Sequence, residues 1–153
     1  MKQISSKRYN KAYYRECYGH VDYARKMELV DFGSVPNTAG DLIKLIKNDV
    51  VVDFGCGTGG LSFYLSSRYG CKVIGIDYSR DAINIAKENK KIFLKENKIY
   101  GKIMFLNKNN NNLPEFKKIK AVYLEDVVEH MSDKEINLVL KKFKSWNKSI
   151  YII

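Results

Sequence analysis

A β-branched run that delivers the chain into four closely spaced glycines constrains this sequence more than any other feature. The stretch is Val50-Val51-Val52-Asp53-Phe54-Gly55-Cys56-Gly57-Thr58-Gly59-Gly60. A short apolar run bounded by turn residues reads as a buried strand. Glycine tolerates positive φ and lets a ligand approach the backbone closely. Leu61 to Tyr69 then reads as a helix stopped by Gly70. The free N–H groups where such a helix starts can meet polar ligand groups. Glycines also make ordinary tight turns, but a strand, a glycine cluster and a helix in succession point to a ligand site.

The rest of the chain repeats the strand–helix alternation. Lys72 to Ile76 is a second strand ending at Asp77. Ser79 caps a long helix running to about Asn97, with Ala82, Ile83, Ala86, Lys90 and Phe93 along one face. Ile103 to Leu106 is a third strand, followed by an asparagine loop and Leu113-Pro114. Ala121 to Leu124 is a fourth. Ser132 to Trp146 is a helix opened by the capping box Ser132-x-x-Glu135. Ser149 to Ile153 is a fifth strand. Before all of these, residues 8 to 31 carry a loose, tyrosine-rich helical pattern, and Thr38 caps a short helix through Ile46, with Asp41 close to a capping-box position. Alternating strands and helices imply βαβ units and a doubly wound α/β fold, mostly parallel, with helices on both faces. Such sheets bind ligands at the carboxyl ends of their strands. Two regions are expected: a helical flank over 1–48, and a ligand-binding domain over 49–153.

Composition narrows the class further. At 153 residues the chain is one domain, large enough to bury a core without disulfides or a metal. Cys17, Cys56 and Cys71 form no CxxC pair, and His20 and His130 stand far apart, so no metal site is expected. There is no apolar run long enough for a membrane span and no secretory signal, which makes a cytoplasmic protein the expectation. The net charge of +10 fits an anionic partner, nucleic acid above all. It equally fits the lysine-, asparagine- and isoleucine-rich composition of an AT-rich coding sequence. The basic residues are spread along the chain, which favours the second explanation.

The glycine turn fits two nucleotide patterns. Gly55-x-Gly57-x-x-Gly60 matches the dinucleotide fingerprint, and an acid after the second strand, Asp77, accepts ribose hydroxyls in either case. Asp53-x-Gly55-x-Gly57-x-Gly59, by contrast, resembles motif I of class I, Rossmann-type S-adenosylmethionine-dependent methyltransferases, which have an acid where the dinucleotide version has an apolar residue. Val73-Ile74-Gly75-Ile76-Asp77-Tyr78-Ser79 resembles their motif II. Phe105 to Pro114 is similar to their loop after the third strand. Leu124-Glu125-Asp126-Val127-Val128-Glu129-His130 looks like the segment after the fourth strand in the small-molecule and quinone-type members.

The resemblance implies S-adenosylmethionine as cofactor and S-adenosylhomocysteine as product. It implies cofactor contacts at Asp53, Gly55, Cys56, Gly57, Gly59, Asp77, Tyr78, Asn109, Asn110 and Glu125. Asp77 would hold the ribose and Tyr78 would cover the adenine. Asn109 stands where relatives carry an aspartate that accepts from the adenine amino group, and Asn110 would offer its backbone N–H. Asp126 and His130 are the candidate bases at the acceptor. Lys120 replaces an aspartate expected just before the fourth strand. The sheet is expected to stop at the fifth strand, where relatives add two more, leaving an apolar edge suited to a partner chain or a second copy.

The acceptor is expected to be a small molecule. The Asn/Asp-Pro-Pro-aromatic motif of DNA and protein amide methyltransferases is missing, as is the Pro-Cys of cytosine C5 enzymes. RNA methylation, a non-catalytic partner-binding module and an NAD-dependent oxidoreductase remain the competing readings. In many relatives the N-terminal region closes over the cleft as a lid.

Overall fold

The computed structural model describes residues 8, 10–18, 39–95, 101–146 and 151–152. Within them the elements are α1 (Lys11–Tyr18), β1 (Val50–Phe54), α2 (Gly60–Tyr69), β2 (Lys72–Asp77), α3 (Arg80–Lys95), β3 (Ile103–Asn107), β4 (Ile119–Tyr123), a 3-10 turn (Val128–His130), α4 (Asp133–Trp146) and β5 (Tyr151–Ile152). The strands form one parallel sheet in the order β3-β2-β1-β4-β5. The chain winds outward from β1 to β3 and then returns beside β1 to lay down β4. That reversal opens a crevice at the carboxyl ends of β1 and β4. Five parallel strands with helices on both faces are the doubly wound architecture expected from the sequence.

Strand periodicity sorts the side chains between the two faces. Val51, Val73, Phe105, Ala121 and Tyr123 meet α2 and α3 through Leu61, Phe63, Leu65, Ile83, Ala86 and Phe93. Val52, Phe54, Ile74, Ile76 and Val122 meet α4 through Val139, Phe143 and Trp146 on the other face. Each of these large side chains contributes about 1.5–3 kcal/mol by leaving water. The Trp146 indole N–H donates to the Pro114 carbonyl at 3.1 Å, so the polar end of the ring is satisfied while its body fills the core.

Local signals hold closely at the helix ends. Gly70, at φ +67, stops α2 and donates its N–H to the Ser66 carbonyl. Ser79 Oγ accepts the Ala82 N–H and caps α3. Ser132 and Glu135 form the reciprocal box at the start of α4: the Ser132 N–H and hydroxyl both donate to Glu135 Oε2, at 3.0 and 2.8 Å, and the Glu135 N–H returns to Ser132 Oγ at 3.4 Å.

Other expectations shift. Asn89, not Lys90, takes the buried position on α3, donating to the Thr58 carbonyl, while the Lys90 ammonium reaches sideways to the Ile103 carbonyl. A long amphipathic chain can leave a face that its backbone position shares. β4 starts two residues earlier than its apolar run, so Lys120 lies inside the strand. Asp41 accepts the Tyr69 hydroxyl. Thr38, most of the tyrosine-rich segment, His20, the end of the α3 pattern at Asn97, and Ser149, Ile150 and Ile153 lie outside the described residues. The apolar edge is present in part: Tyr151 and Ile152 of β5 are exposed.

Gly59 sets the angle between the glycine turn and α2. It sits at φ +93, and a Cβ there would lie 2.7 Å from Phe105 Cζ and 3.0 Å from Phe63 Cε2. Both strain and overlap therefore oppose any side chain. Gly59→Ala is expected to cost about 3 kcal/mol, read as a drop of several degrees in thermal denaturation followed by circular dichroism.

Candidate functional site

A cleft of about 740 Å³ opens at the carboxyl end of the sheet. Gly55, Gly57, Ile76 and Asp77 line its floor. Tyr78 and residues 108–111 form one side, and Asp126, Val127 and residues 129–132 the other. Tyr13 and Tyr14 of α1 approach from above, and Lys134, Glu135 and Leu138 of α4 mark its far end.

Asp77 organises the floor. Its Oδ2 accepts the Gly57 N–H at 3.0 Å and its Oδ1 accepts the Ser79 N–H at 2.7 Å. One carboxylate thus ties the β1 turn to the entrance of α3. Burial raises its pKa, and the backbone N–H groups of Ser79, Gly57 and Tyr78 oppose that rise. A carboxylate has about four lone-pair positions, so these bonds leave acceptor capacity toward the cleft that Asp77 lines. Gly57, at φ +51, would direct a Cβ into open space whose nearest atom is Tyr14 Cε1 at 4.0 Å. A ligand can therefore come against the Gly57 backbone, with Tyr14 opposite.

Asp53 acts behind the floor. It is buried, and its Oδ2 accepts the Ser62 hydroxyl at 2.6 Å, bracing β1 against α2. Gly75 makes this room, since a Cβ there would meet Phe105 at 2.6 Å and Ser62 Oγ at 3.0 Å. Burial pushes the Asp53 carboxyl up to about 7; the Ser62 hydrogen bond opposes this, and the charges of Glu125 and Asp77 add to it. Several carboxylates therefore gather at this end of a basic protein, an environment that favours a cationic ligand.

The segment after β4 is held on the glycine turn. A Cβ on Gly55 would lie 2.3 Å from Val127 Cγ2, so the missing side chain is what admits Val127. Asp126 beside it has φ +52, a left-handed conformation that aspartate tolerates better than most residues. Asp126, Glu129 and His130 are exposed side chains on the cleft wall, and the His130 N–H closes the turn onto the Val127 carbonyl.

Of the expected contact residues, Gly55, Gly57, Asp77, Tyr78, Asn109, Asn110, Asp126 and His130 all line the cleft. Asp53, Cys56, Gly59 and Glu125 do not. Cys56 is buried with its N–H on the Ile76 carbonyl, Gly59 faces Phe105 and Phe63, and Glu125 is exposed outside the lining. Within one glycine turn, Gly57 faces the cleft while Gly59 faces the core, and spacing alone does not say which residue does which. Asn109 Oδ1 accepts the Asn111 N–H at 3.0 Å in a local turn, which occupies one of its two lone pairs. Asn110 Nδ2 reaches Glu135 Oε1 at 3.2 Å and joins the loop to α4. Lys108, Met131, Glu135 and Leu138 were not anticipated in the site. The capping box at Ser132 and Glu135 was the available signal, because it fixes the mouth end of α4.

Comparison with known proteins agrees with this geometry. Residues 51–149 match the family model described as a methyltransferase domain, and the chain belongs to that family. Membership decides between the two readings of the glycine turn and sets the dinucleotide one aside. A ubiquinone biosynthesis O-methyltransferase from Pelagibacter ubique is 36% identical over 104 residues, covering 65% of this chain and 40% of that protein. The chain thus spans less than half the length of that relative. A phosphoethanolamine N-methyltransferase from Triticum aestivum is 41% identical over 49 residues, 32% of this chain and 10% of that one. Among solved structures, a Methanococcus maripaludis protein provisionally assigned as an S-adenosyl-L-methionine-dependent methyltransferase superposes with a TM-score of 0.68 at 16% identity, covering 99% of this chain and 66% of its own. The magnesium protoporphyrin IX methyltransferase of Synechocystis, solved with its cofactor, gives 0.59 at 19%, covering 94% and 72%. At these identities the structural likenesses speak for the fold.

The raised Asp53 carboxyl has a consequence for stability. Between 3.8 and about 7 the folded chain holds a proton that the unfolded chain releases, so stability falls as pH rises across that window. Asp53→Asn keeps an acceptor for Ser62 and removes this slope. The variant is expected to melt at least ~3 °C above the parent on the alkaline side of the window, with the gap closing toward its acid side. Parallel melting curves with the same separation at every pH would refute the assignment.

Proposed function

We propose that this chain transfers a methyl group from S-adenosylmethionine to a small-molecule acceptor. The observation that carries the proposal is the joint opening of Gly57 and Asp77 into one cleft at the topological reversal of the sheet. When bound, the cofactor supplies a methyl group already activated on a sulfonium, so the protein's work is binding, orientation and exclusion of water.

The donor set suits that group. Asp77 keeps acceptor positions for two ribose hydroxyls. Gly57 gives the backbone close approach, and Tyr78 supplies a flat apolar face for the adenine. Asn109 retains a lone pair and Asn110 a backbone N–H for the ring edge. The carboxylates near the floor favour the cofactor's positive charges, and Asp53 acts by holding the turn rather than by touching the ligand. Tyr13 and Tyr14 of α1, within the flank over 1–48, stand over the cofactor, and 49–153 is the cofactor-binding unit. At the acceptor, His130 or Asp126 would take the proton of a hydroxyl or protonated amine, leaving the acceptor atom with a free lone pair. The apolar side chains of Met131 and Leu138 at the far end suit an acceptor with a hydrocarbon or ring portion.

Isothermal titration of the purified chain tests the cofactor assignment. Micromolar binding of S-adenosylhomocysteine is expected, with none of NAD. Asp77→Ala should weaken that binding about tenfold or more, since hydrogen bonds to a charged group are lost. His130→Ala should leave the affinity unchanged and lower methyl transfer about a hundredfold if His130 is the base. Unchanged turnover would pass that role to Asp126.

A further inference from the structure

The end of the sheet opposite the cleft carries a different chemistry. Leu42 and Ile46 are 75% and 65% exposed, ahead of Leu94 and Tyr151 at 49%. They belong to one short segment that packs Ala39, Ile43 and Leu45 onto the core and turns these two outward. The segment is anchored at the amino-terminal edge of the strands: the Asn48 N–H donates to the Gly70 carbonyl, and the Lys72 N–H donates to the Asp49 carbonyl. Lys44 and Lys47 of this segment, and Lys72, Lys102, Lys117 and Lys118 at the amino ends of the strands, are all exposed. Lys72 and Lys102 stand side by side on β2 and just before β3, since the Val73 N–H donates to the Lys102 carbonyl and Val73 pairs with Ile103. Lys117 and Lys118 enter β4 on the far side of β1.

The acids at this end are already engaged. Asp49 accepts the Ile46 N–H, Asp41 accepts the Tyr69 hydroxyl, and Glu115 pairs with Lys142. Among the described residues none of the six lysines forms an ion pair. Part of the excess is explained by helix dipoles, because α2, α3 and α4 all finish here and each carries a cation in its last turn, at Arg68, Lys95 and Lys144. Lysines that enter strands from loops have no such role.

We propose that this surface docks on an anionic lipid bilayer. Two protruding aliphatic side chains at the same end of the sheet as these exposed lysines match an interface that is negatively charged at its headgroups and apolar just beneath. A nucleic acid backbone would use the lysines but has no place for Leu42 and Ile46. Because the surface lies at the opposite end of the strands from the cleft, docking would leave the cleft open to water for the entry of cofactor and acceptor.

Co-sedimentation of the full chain with phosphatidylcholine vesicles containing phosphatidylglycerol tests this. Binding is expected to those vesicles and not to pure phosphatidylcholine, and to weaken as salt is added. Each lysine among the six changed to glutamine should weaken binding about fivefold. Leu42→Ser combined with Ile46→Ser should weaken it about tenfold or more. Both sites are exposed, and melting curves check that the variants remain folded. No binding to phosphatidylglycerol vesicles overturns the proposal, as does full binding by the double serine variant. Binding of a single-stranded RNA oligonucleotide that depends on the lysines and not on Leu42 or Ile46 would also overturn it, by assigning the surface to nucleic acid.

Discussion

One buried carboxylate holding backbone N–H groups from two separate loops is the constraint on which the cleft depends. Asp77 reaches back to Gly57 in the turn after β1 and forward to Ser79 at the start of α3. These loops are neighbours in space because β1 and β2 pair in parallel, with Asp53 opposite Gly75 and Phe54 opposite Ile76. Without that register the carboxylate would be one more acid at a strand end. With it, the same group that shapes the floor keeps acceptor capacity toward the cleft. Asp53 supports the arrangement from behind by tying β1 to α2 through Ser62.

The glycines of this region divide their labour. Gly57 leaves space for a ligand, whereas Gly59 and Gly75 leave space for Phe105, and Gly55 for Val127. The division explains why a single motif both binds and folds. Packing at Gly59 sets the direction of α2, and packing at Gly55 brings the segment after β4 onto the turn. Asp126 and His130 reach the cleft only because of that second contact. The glycine turn and the segment after β4, two walls of the cleft, are thus joined at Gly55.

Charge follows the direction of the strands. Carboxylates collect at the carboxyl ends, where Asp53, Asp77 and Glu125 raise one another's proton affinity or are raised by burial. Six exposed lysines stand at the amino ends, while Lys108 and Lys134 line the cleft. A parallel sheet with antiparallel helices makes such sorting natural, since every helix finishes at the same end and favours cations there. The result is a molecule whose two ends suit different partners: a cationic small ligand at one, an anionic surface at the other.

The sequence alone was enough for the strand–turn–helix order, the parallel sheet, the caps at Ser79 and Ser132 and the stop at Gly70. These signals are local: a hydrophobic period, a capping side chain and a glycine each act within a few residues of where they are read. It was also enough for the floor of the site, because Asp77 and the glycine turn carry their meaning in short motifs. The tertiary structure alone decided which glycines face the ligand and which the core, since that depends on Phe105 and Val127 arriving from distant strands. It likewise placed Glu135 and Leu138 at the mouth of the cleft and put Asn89 in the position expected for Lys90. It also brought Lys72, Lys102, Lys117 and Lys118, scattered along the chain, to one end, because each stands at the entry to a strand of a parallel sheet. Spacing along a chain carries no record of such neighbours; only the closing of the sheet brings them together.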